Sequence, residues 1–149
     1  MDRSMIKRWI PFAALLLPLQ ALAQSGACPE LPPASGLAWE VSEGGDFLYC
    51  RAVHQADGAQ AFSVMLREES PMRERMSLRE ERGAIDGHEI RWYRGDVATT
   101  NAIVRETAIE LDDDLVAHIV LRAVSEEQLA ESRRLAEGLR FADTRLGSH

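Results

Sequence analysis

Lysine is almost absent from this chain of 149 residues: Lys7 is the only one, and every basic residue after it is an arginine. A Ser-x-x-Lys catalytic motif is therefore excluded after residue 23. No Gly-x-Ser-x-Gly elbow and no glycine-rich phosphate loop is present either. The sequence consequently predicts neither catalytic residues nor a cofactor.

Cysteine and histidine are too few and too scattered to predict a metal site. The two cysteines form no Cys-x-x-Cys motif, and the four histidines show no ligand spacing: His54, His88, His118 and His149. The acidic run at 112–114 lacks the central glycine and the terminal glutamate of an EF-hand loop. No metal ligand is therefore predicted.

Long hydrophobic runs are confined to the N-terminus. Three cations among residues 1–8 precede an apolar run at 9–19, and Ala21-Leu22-Ala23 supplies the small-x-small pattern that signal peptidase reads. The apolar run is shorter than the roughly 20 residues that span a bilayer. We therefore predict a signal peptide at 1–23 with cleavage after Ala23, a periplasmic location and no stable membrane span.

The two cysteines of an exported chain are expected to pair. A Cys28–Cys50 disulfide would fasten a proline-rich N-terminal arm at 24–35, whose three prolines disfavour helix. An alternative is that Ser25-Gly26-Ala27-Cys28 resembles a lipoprotein processing box. In that case Cys28 would be acylated and would hold the protein on a membrane, and Cys50 would have no partner.

Acidic residues outnumber basic ones, and export increases the imbalance. Removing the signal peptide takes away three of 17 basic and one of 24 acidic residues, which leaves 14 against 23 and a net charge of −9. Such a surface repels polyanions, so nucleic acid is not a predicted partner. A basic protein partner suits this charge better.

Alternating apolar and polar residues predict an α+β fold, an antiparallel β-meander of about six or seven strands with one C-terminal helix packed on the sheet. The most regular alternation, at 103–111 and 115–123, predicts a hairpin whose second strand is central. Ser125-Glu126-Glu127-Gln128 matches the capping box and predicts a helix of about 14 residues. The predicted organisation is a single domain at 36–144 and a disordered tail at 145–149.

Two exposed segments carry the candidate partner-binding residues. The mixed-charge segment 67–82 interrupts the strand pattern, and an acidic hairpin tip joins the last two strands. Their arginines, carboxylates and methionine suit recognition of a protein; a solvated mixed-charge surface is the other interpretation. The candidates are Arg67, Glu68, Glu69, Met72, Arg73, Arg75, Asp112, Asp113 and Asp114.

The C-terminal part of the chain carries a family resemblance. The strand at 115–121, the Ser125-to-Gln128 box and Gly138-Leu139-Arg140-Phe141 resemble the last strand and helix of PsbP-like small α/β domains. In size, signal peptide, disulfide and acidity, the chain also resembles periplasmic immunity proteins that accompany secreted antibacterial toxins. The second resemblance implies a non-enzymatic module that occludes a basic protein. Neither resemblance places a catalytic residue on this chain.

Two other functions stay open. A small envelope enzyme acting on cell-wall or lipid substrates would need a site in a cleft of the sheet, and its nearest candidates are His118 with Glu106 or Glu110. An accessory subunit of an envelope complex would co-purify constitutively with one assembly.

Overall fold

Short strands joined by tight turns make up most of the protein, whose computed structural model describes residues 25–95, 101–112 and 114–148. The predicted signal peptide at 1–23 lies outside the described residues, and so do Asp113 and His149. A short 3₁₀ helix spans Met76–Leu78. The other elements are β1 (Leu37–Glu43), β2 (Leu48–His54), β3 (Gln60–Arg67), β4 (Arg79–Ile85), β5 (His88–Arg94), β6 (Ile103–Asp112), β7 (Leu115–Ala123) and α1 (Glu126–Ala136).

The strands form one seven-stranded antiparallel sheet in the order β1-β2-β3-β7-β6-β5-β4. This confirms the predicted α+β class and the central position of the strand at 115–123. The meander has two parts, β1 to β3 and β4 to β7, which meet where β3 pairs with β7. Residues 68–78, here called the crossover segment, therefore carry the chain from β3 past three strands to the far edge.

The core lies between one face of the sheet and α1. Alternate residues of β3 and β7 are fully buried on this face, namely Phe62, Val64, Leu66, Ala117, Ile119 and Leu121. The helix packs on the same two strands through Leu129, Ser132, Leu135 and Ala136. Full burial of one large apolar side chain contributes about 1.5–3 kcal/mol, so this face supplies most of the hydrophobic stabilisation.

The helix begins as its capping sequence predicts. The Ser125 hydroxyl accepts a hydrogen bond from the Gln128 backbone N–H at 3.1 Å, and the Gln128 side chain accepts one from the Val124 N–H at 2.7 Å. The return bond thus reaches one residue further back than in the standard capping box. The helix has 11 residues, fewer than predicted, because the chain turns at Gly138.

The N-terminal arm is held by more than its disulfide. Cys28 is bonded to the fully buried Cys50, as predicted. Ala27 exchanges two backbone hydrogen bonds with Arg145, at 2.9 and 3.1 Å, and Glu30 exchanges two with Arg140, at 2.8 and 3.1 Å. A cysteine in this disulfide has no thiol for acylation, which argues against the lipoprotein alternative.

The same contacts involve the start of the tail at 145–149 that is predicted to be disordered. Arg145 forms a backbone bridge with Ala27, and Leu146 packs against the core. The arm thus supplies backbone partners from the other end of the chain.

A buried arginine joins β6, β4 and α1. The Arg105 side chain is 10% exposed, and its Nε donates to both Glu81 carboxylate oxygens at 3.2 and 3.0 Å. Arg133 of α1 lies 3.7 Å from the same carboxylate. Burial raises the pKa of Glu81, but the Arg105 hydrogen bond, the backbone hydrogen bond and the two arginine charges together lower it below its usual value.

Loss of the disulfide is expected to lower the free energy of unfolding by about 3 kcal/mol, the entropy of closing a loop of this size. The comparison is between the oxidised chain and the same chain in dithiothreitol, by urea denaturation. A Cys28→Ala/Cys50→Ala variant in the absence of reductant is the matched control, and it should resemble the reduced protein. Equal urea midpoints for the oxidised and reduced chains would contradict the prediction.

Candidate functional site

The face of the sheet opposite α1, here called the open face, carries a mixture of polar and apolar side chains. Its central rows come from alternate residues of β3, β7 and β6: Ala61, Ser63, Met65, Arg67, Val116, His118, Val120, Arg122, Val104, Glu106, Ala108 and Glu110. The crossover segment lies over this face, because its residues line cavities jointly with these strands. The topology therefore places a loop above the centre of the sheet.

A histidine and a carboxylate are hydrogen-bonded at the centre of the open face. His118 Nε2 lies 3.1 Å from Glu106 Oε2, and their side chains are 13% and 26% exposed. Glu110, the other carboxylate considered in the sequence, is exposed and makes no such contact. An ionised carboxylate only accepts hydrogen bonds, so Glu106 can orient the His118 ring.

A cleft of about 580 Å³, here called the His118 cleft, lies beside this pair. Its walls are Tyr49, Gln60, Ala61, Ser63, Met65, Arg67, Pro71, His118, Val120 and Arg122. Pro71 of the crossover segment closes one side. No carboxylate of the described residues lines the cleft, although the chain has 24 acidic residues.

A second cavity of about 400 Å³ adjoins the cleft at Pro71 and His118. Three arginines line it, Arg73 and Arg75 from the crossover segment and Arg94 from the end of β5. Among the described residues, Glu106 is the carboxylate that lines it. The centre of the open face is thus cationic on an acidic protein.

Carboxylates gather instead at one end of the sheet, here called the acidic end. The β1–β2 turn, the end of β3 and the β6–β7 turn meet there, since Arg67 is paired in register with Val116 and its guanidinium lies 3.4 Å from Asp46. Arg67 is the one basic residue of the segments 43–47, 67–69 and 110–115. Their described carboxylates are Glu43, Asp46, Glu68, Glu69, Glu110, Asp112 and Asp114.

The predicted partner-binding residues fall into two groups. Arg67, Glu68, Glu69, Asp112 and Asp114 belong to the acidic end, whereas Met72, Arg73 and Arg75 line cavities on the open face. Asp113 lies outside the described residues. The predicted residues therefore form an acidic group and a group with two arginines, and Met72 lines a cavity with each group.

Sequence reasoning missed the cleft residues Ser63 and Arg122. Each residue alternates with the apolar core residues of its strand. This alternation could have placed both side chains on the face opposite the core. Their convergence depends on the pairing of β3 with β7, two strands far apart in the sequence.

No group of three or more His, Cys, Asp or Glu residues suited to a metal ion occurs among the described residues. In the same part of the chain, no helix is long and apolar enough to cross a membrane.

The chain matches no protein-family model, no curated protein and no solved structure. The resemblance of its C-terminal part to PsbP-like domains therefore stays a prediction.

The hydrogen bond to Glu106 predicts the tautomer of His118. An ionised carboxylate can only accept, so the neutral ring should carry its proton on Nε2. Two-bond nitrogen–proton couplings measured by NMR distinguish the tautomers, and His54, whose ring makes no hydrogen bond among the described residues, is the internal reference. Glu106→Leu should abolish the preference. A proton on Nδ1 of His118 in the unmodified protein would contradict the assignment.

Proposed function

We propose that the protein is a non-enzymatic binding module of the immunity or inhibitor type, which is exported to the periplasm after cleavage behind Ala23 and occludes a basic protein partner. The observation that carries this proposal is the acidic end, where two turns and the end of β3 bring carboxylates together. The Cys28–Cys50 disulfide supports export, because such bonds persist in oxidising compartments.

The carboxylates of the acidic end are available to a partner. Asp46 has Arg67 as its cation, but Glu68, Glu69 and Glu110 have no side-chain hydrogen bond or ion pair among the described residues. Like charges held together destabilise the folded chain slightly. A cationic partner relieves that repulsion, and complementary charge also speeds its association.

The shape of this region is compatible with a protein partner. Two shallow cavities of about 450 and 490 Å³ flank Glu68 and Glu69. Phe47 and Met72 offer apolar contact in these cavities, so the carboxylates surround usable hydrophobic surface. A charged rim around such contacts is the usual anatomy of a protein interface.

The test is capture of a basic protein from the native envelope and secreted fraction by the oxidised exported chain. We expect one basic partner at low salt and at least about tenfold weaker binding at high salt. The variant Glu68→Gln/Glu69→Gln/Asp114→Asn should lose this partner, whereas the control Glu89→Gln/Glu127→Gln/Asp143→Asn, which removes the same charge elsewhere, should retain it.

Three outcomes would overturn the proposal. Recovery of no partner would do so, and so would a partner whose binding ignores ionic strength. Constitutive co-purification with one large assembly, equally by both triple variants, would indicate an accessory subunit instead.

A second candidate function is a small envelope enzyme, favoured by the His118–Glu106 hydrogen bond. Ser63 lines the same cleft, so its hydroxyl is available as a nucleophile, although no hydrogen bond joins it to His118 in this structure. In acyl transfer, Ser63 Oγ would bond to the substrate carbonyl as His118 takes its proton. His118 would pass the proton to the leaving group, and water would then cleave the acyl-serine.

The enzyme candidate predicts turnover of cell-wall or lipid acyl esters. Ser63→Ala and His118→Gln should each lower turnover by at least about a hundredfold. Glu110→Gln, on the same face but outside the hydrogen-bonded pair, should leave it unchanged. Equal rates for all these variants would rule out the site.

A further inference from the structure

We propose that the His118 cleft binds a small amphipathic organic anion, with the anionic group beside Arg122 and Ser63 and the apolar body over Met65. The cleft shares Arg67 with the acidic end, but the anionic group lies at the opposite end of the cleft, so the inference does not depend on the proposed protein partner.

The dimensions of the cleft suit a small molecule. Its volume of about 580 Å³ falls within the roughly 300–1,000 Å³ typical of ligand sites. It follows β3 from Ala61 to Arg67, six residue steps, which is a length of about 20 Å in an extended strand. A flexible chain or a narrow ring system fits this elongated shape.

An apolar strip runs along the cleft. Met65 and Val120 lie on the cleft side of β3 and β7, and Tyr49 is paired in register with Met65. Pro71 closes the strip from the crossover segment. Methionine adapts its shape to varied apolar ligands, so this strip suits an alkyl or aryl group.

Ser63 is a polar group without a partner in this cleft. The residue is 6% exposed, and its hydroxyl forms no hydrogen bond among the described residues. Its oxygen is not among the solvent-inaccessible unpaired polar atoms of the described residues, so it is open to the cleft. A ligand oxygen in the cleft would supply a partner, with the hydroxyl donating.

The charges of the cleft select an anion. Two arginines, Arg67 and Arg122, line it, and no carboxylate of the described residues does. Glu106 holds the His118 ring from the adjoining cavity. The positive lining stands out because the whole chain has a net charge of −7.

The anionic group of the ligand is placed beside the arginine of the cleft that has no acidic partner among the described residues. Arg67 lies 3.4 Å from Asp46 and precedes the acidic pair Glu68-Glu69. Arg122 has no ion pair or hydrogen bond among the described residues and lies one residue pair beyond Phe62–Leu121. The anionic group therefore belongs at the Arg122 end, near Ser63.

The test measures calorimetric binding of three probes with the same ten-carbon tail to the oxidised exported chain, each below its micelle concentration. Decanoate is the anion, decanol the neutral match and decyltrimethylammonium the cation. We expect decanoate to bind with one-to-one stoichiometry and at least about tenfold more tightly than decanol or decyltrimethylammonium. A charge-assisted hydrogen bond changes the binding constant by about this factor.

Variants locate the site. Arg122→Gln should weaken decanoate binding about tenfold and leave decanol binding unchanged, and Ser63→Ala should weaken decanoate severalfold. Arg134→Gln, an equal charge change on the exposed surface of α1, is the matched control and should have no effect. NMR shift changes on adding decanoate should centre on Ser63, Met65 and Val120.

The inference is overturned if the three probes bind equally, if none binds, or if Arg122→Gln behaves like Arg134→Gln. Shift changes confined to the acidic end would also overturn it. The acidic-end triple variant should bind decanoate normally, so failure of the protein-partner proposal is distinguishable from failure of this one.

Discussion

The pairing of β3 with β7 is the interaction on which the rest of the structure depends. It runs from Phe62–Leu121 to Arg67–Val116 and joins the two parts of the meander into one sheet. The helix packs over this junction, because most of its contacts are with these two strands. On the other face, the same pairing sets Ser63 beside Val120 and Met65 beside His118. The buried core and the open cleft are therefore two sides of one strand pair.

Charge is segregated on this protein in a way that its net charge conceals. Carboxylates occupy the turns at one end of the sheet, where water screens their repulsion. Arginines line the two cavities beside His118, whereas glutamates line the cavity of the open face that adjoins the acidic end. A surface of this kind can attract a cationic macromolecule and a small anion at the same time, since Arg122 of the His118 cleft is separate from the carboxylates of the acidic end, although the two sites share Arg67.

Local features of the fold were predictable from the sequence, and long-range ones were not. The helix cap at Ser125 and the turn at Asp86-Gly87, where both residues have positive φ, depend on neighbours in the chain. The disulfide followed from the count of cysteines. The crossover to the far edge of the sheet and the bridges between the two ends of the chain required knowing which distant strands pair.

The hydrogen bond between His118 and Glu106 shows the same limit of sequence-based prediction for a single side chain. Glu106 and Glu110 are the neighbours, two residues away on either side, of Ala108, which is paired with His118. The alternation of the strand places both carboxylates on the open face, each two residues from the position paired with His118. It therefore does not predict which of the two contacts the His118 ring. The structure pairs Glu106 with His118 and leaves Glu110 at the acidic end, near Glu68 and Glu69.

The order of the strands also governs how the chain assembles as it emerges. The first three strands and the disulfide can form early, but β3 keeps an unpaired edge until β7, the last strand, arrives. An edge of this kind invites pairing with other chains. The hydrogen bonds that complete the N-terminal arm come later still, because Arg140 and Arg145 follow the helix. The contacts that complete the sheet and the arm therefore join distant parts of the chain, and a sheet without β7 would expose the edge of β3.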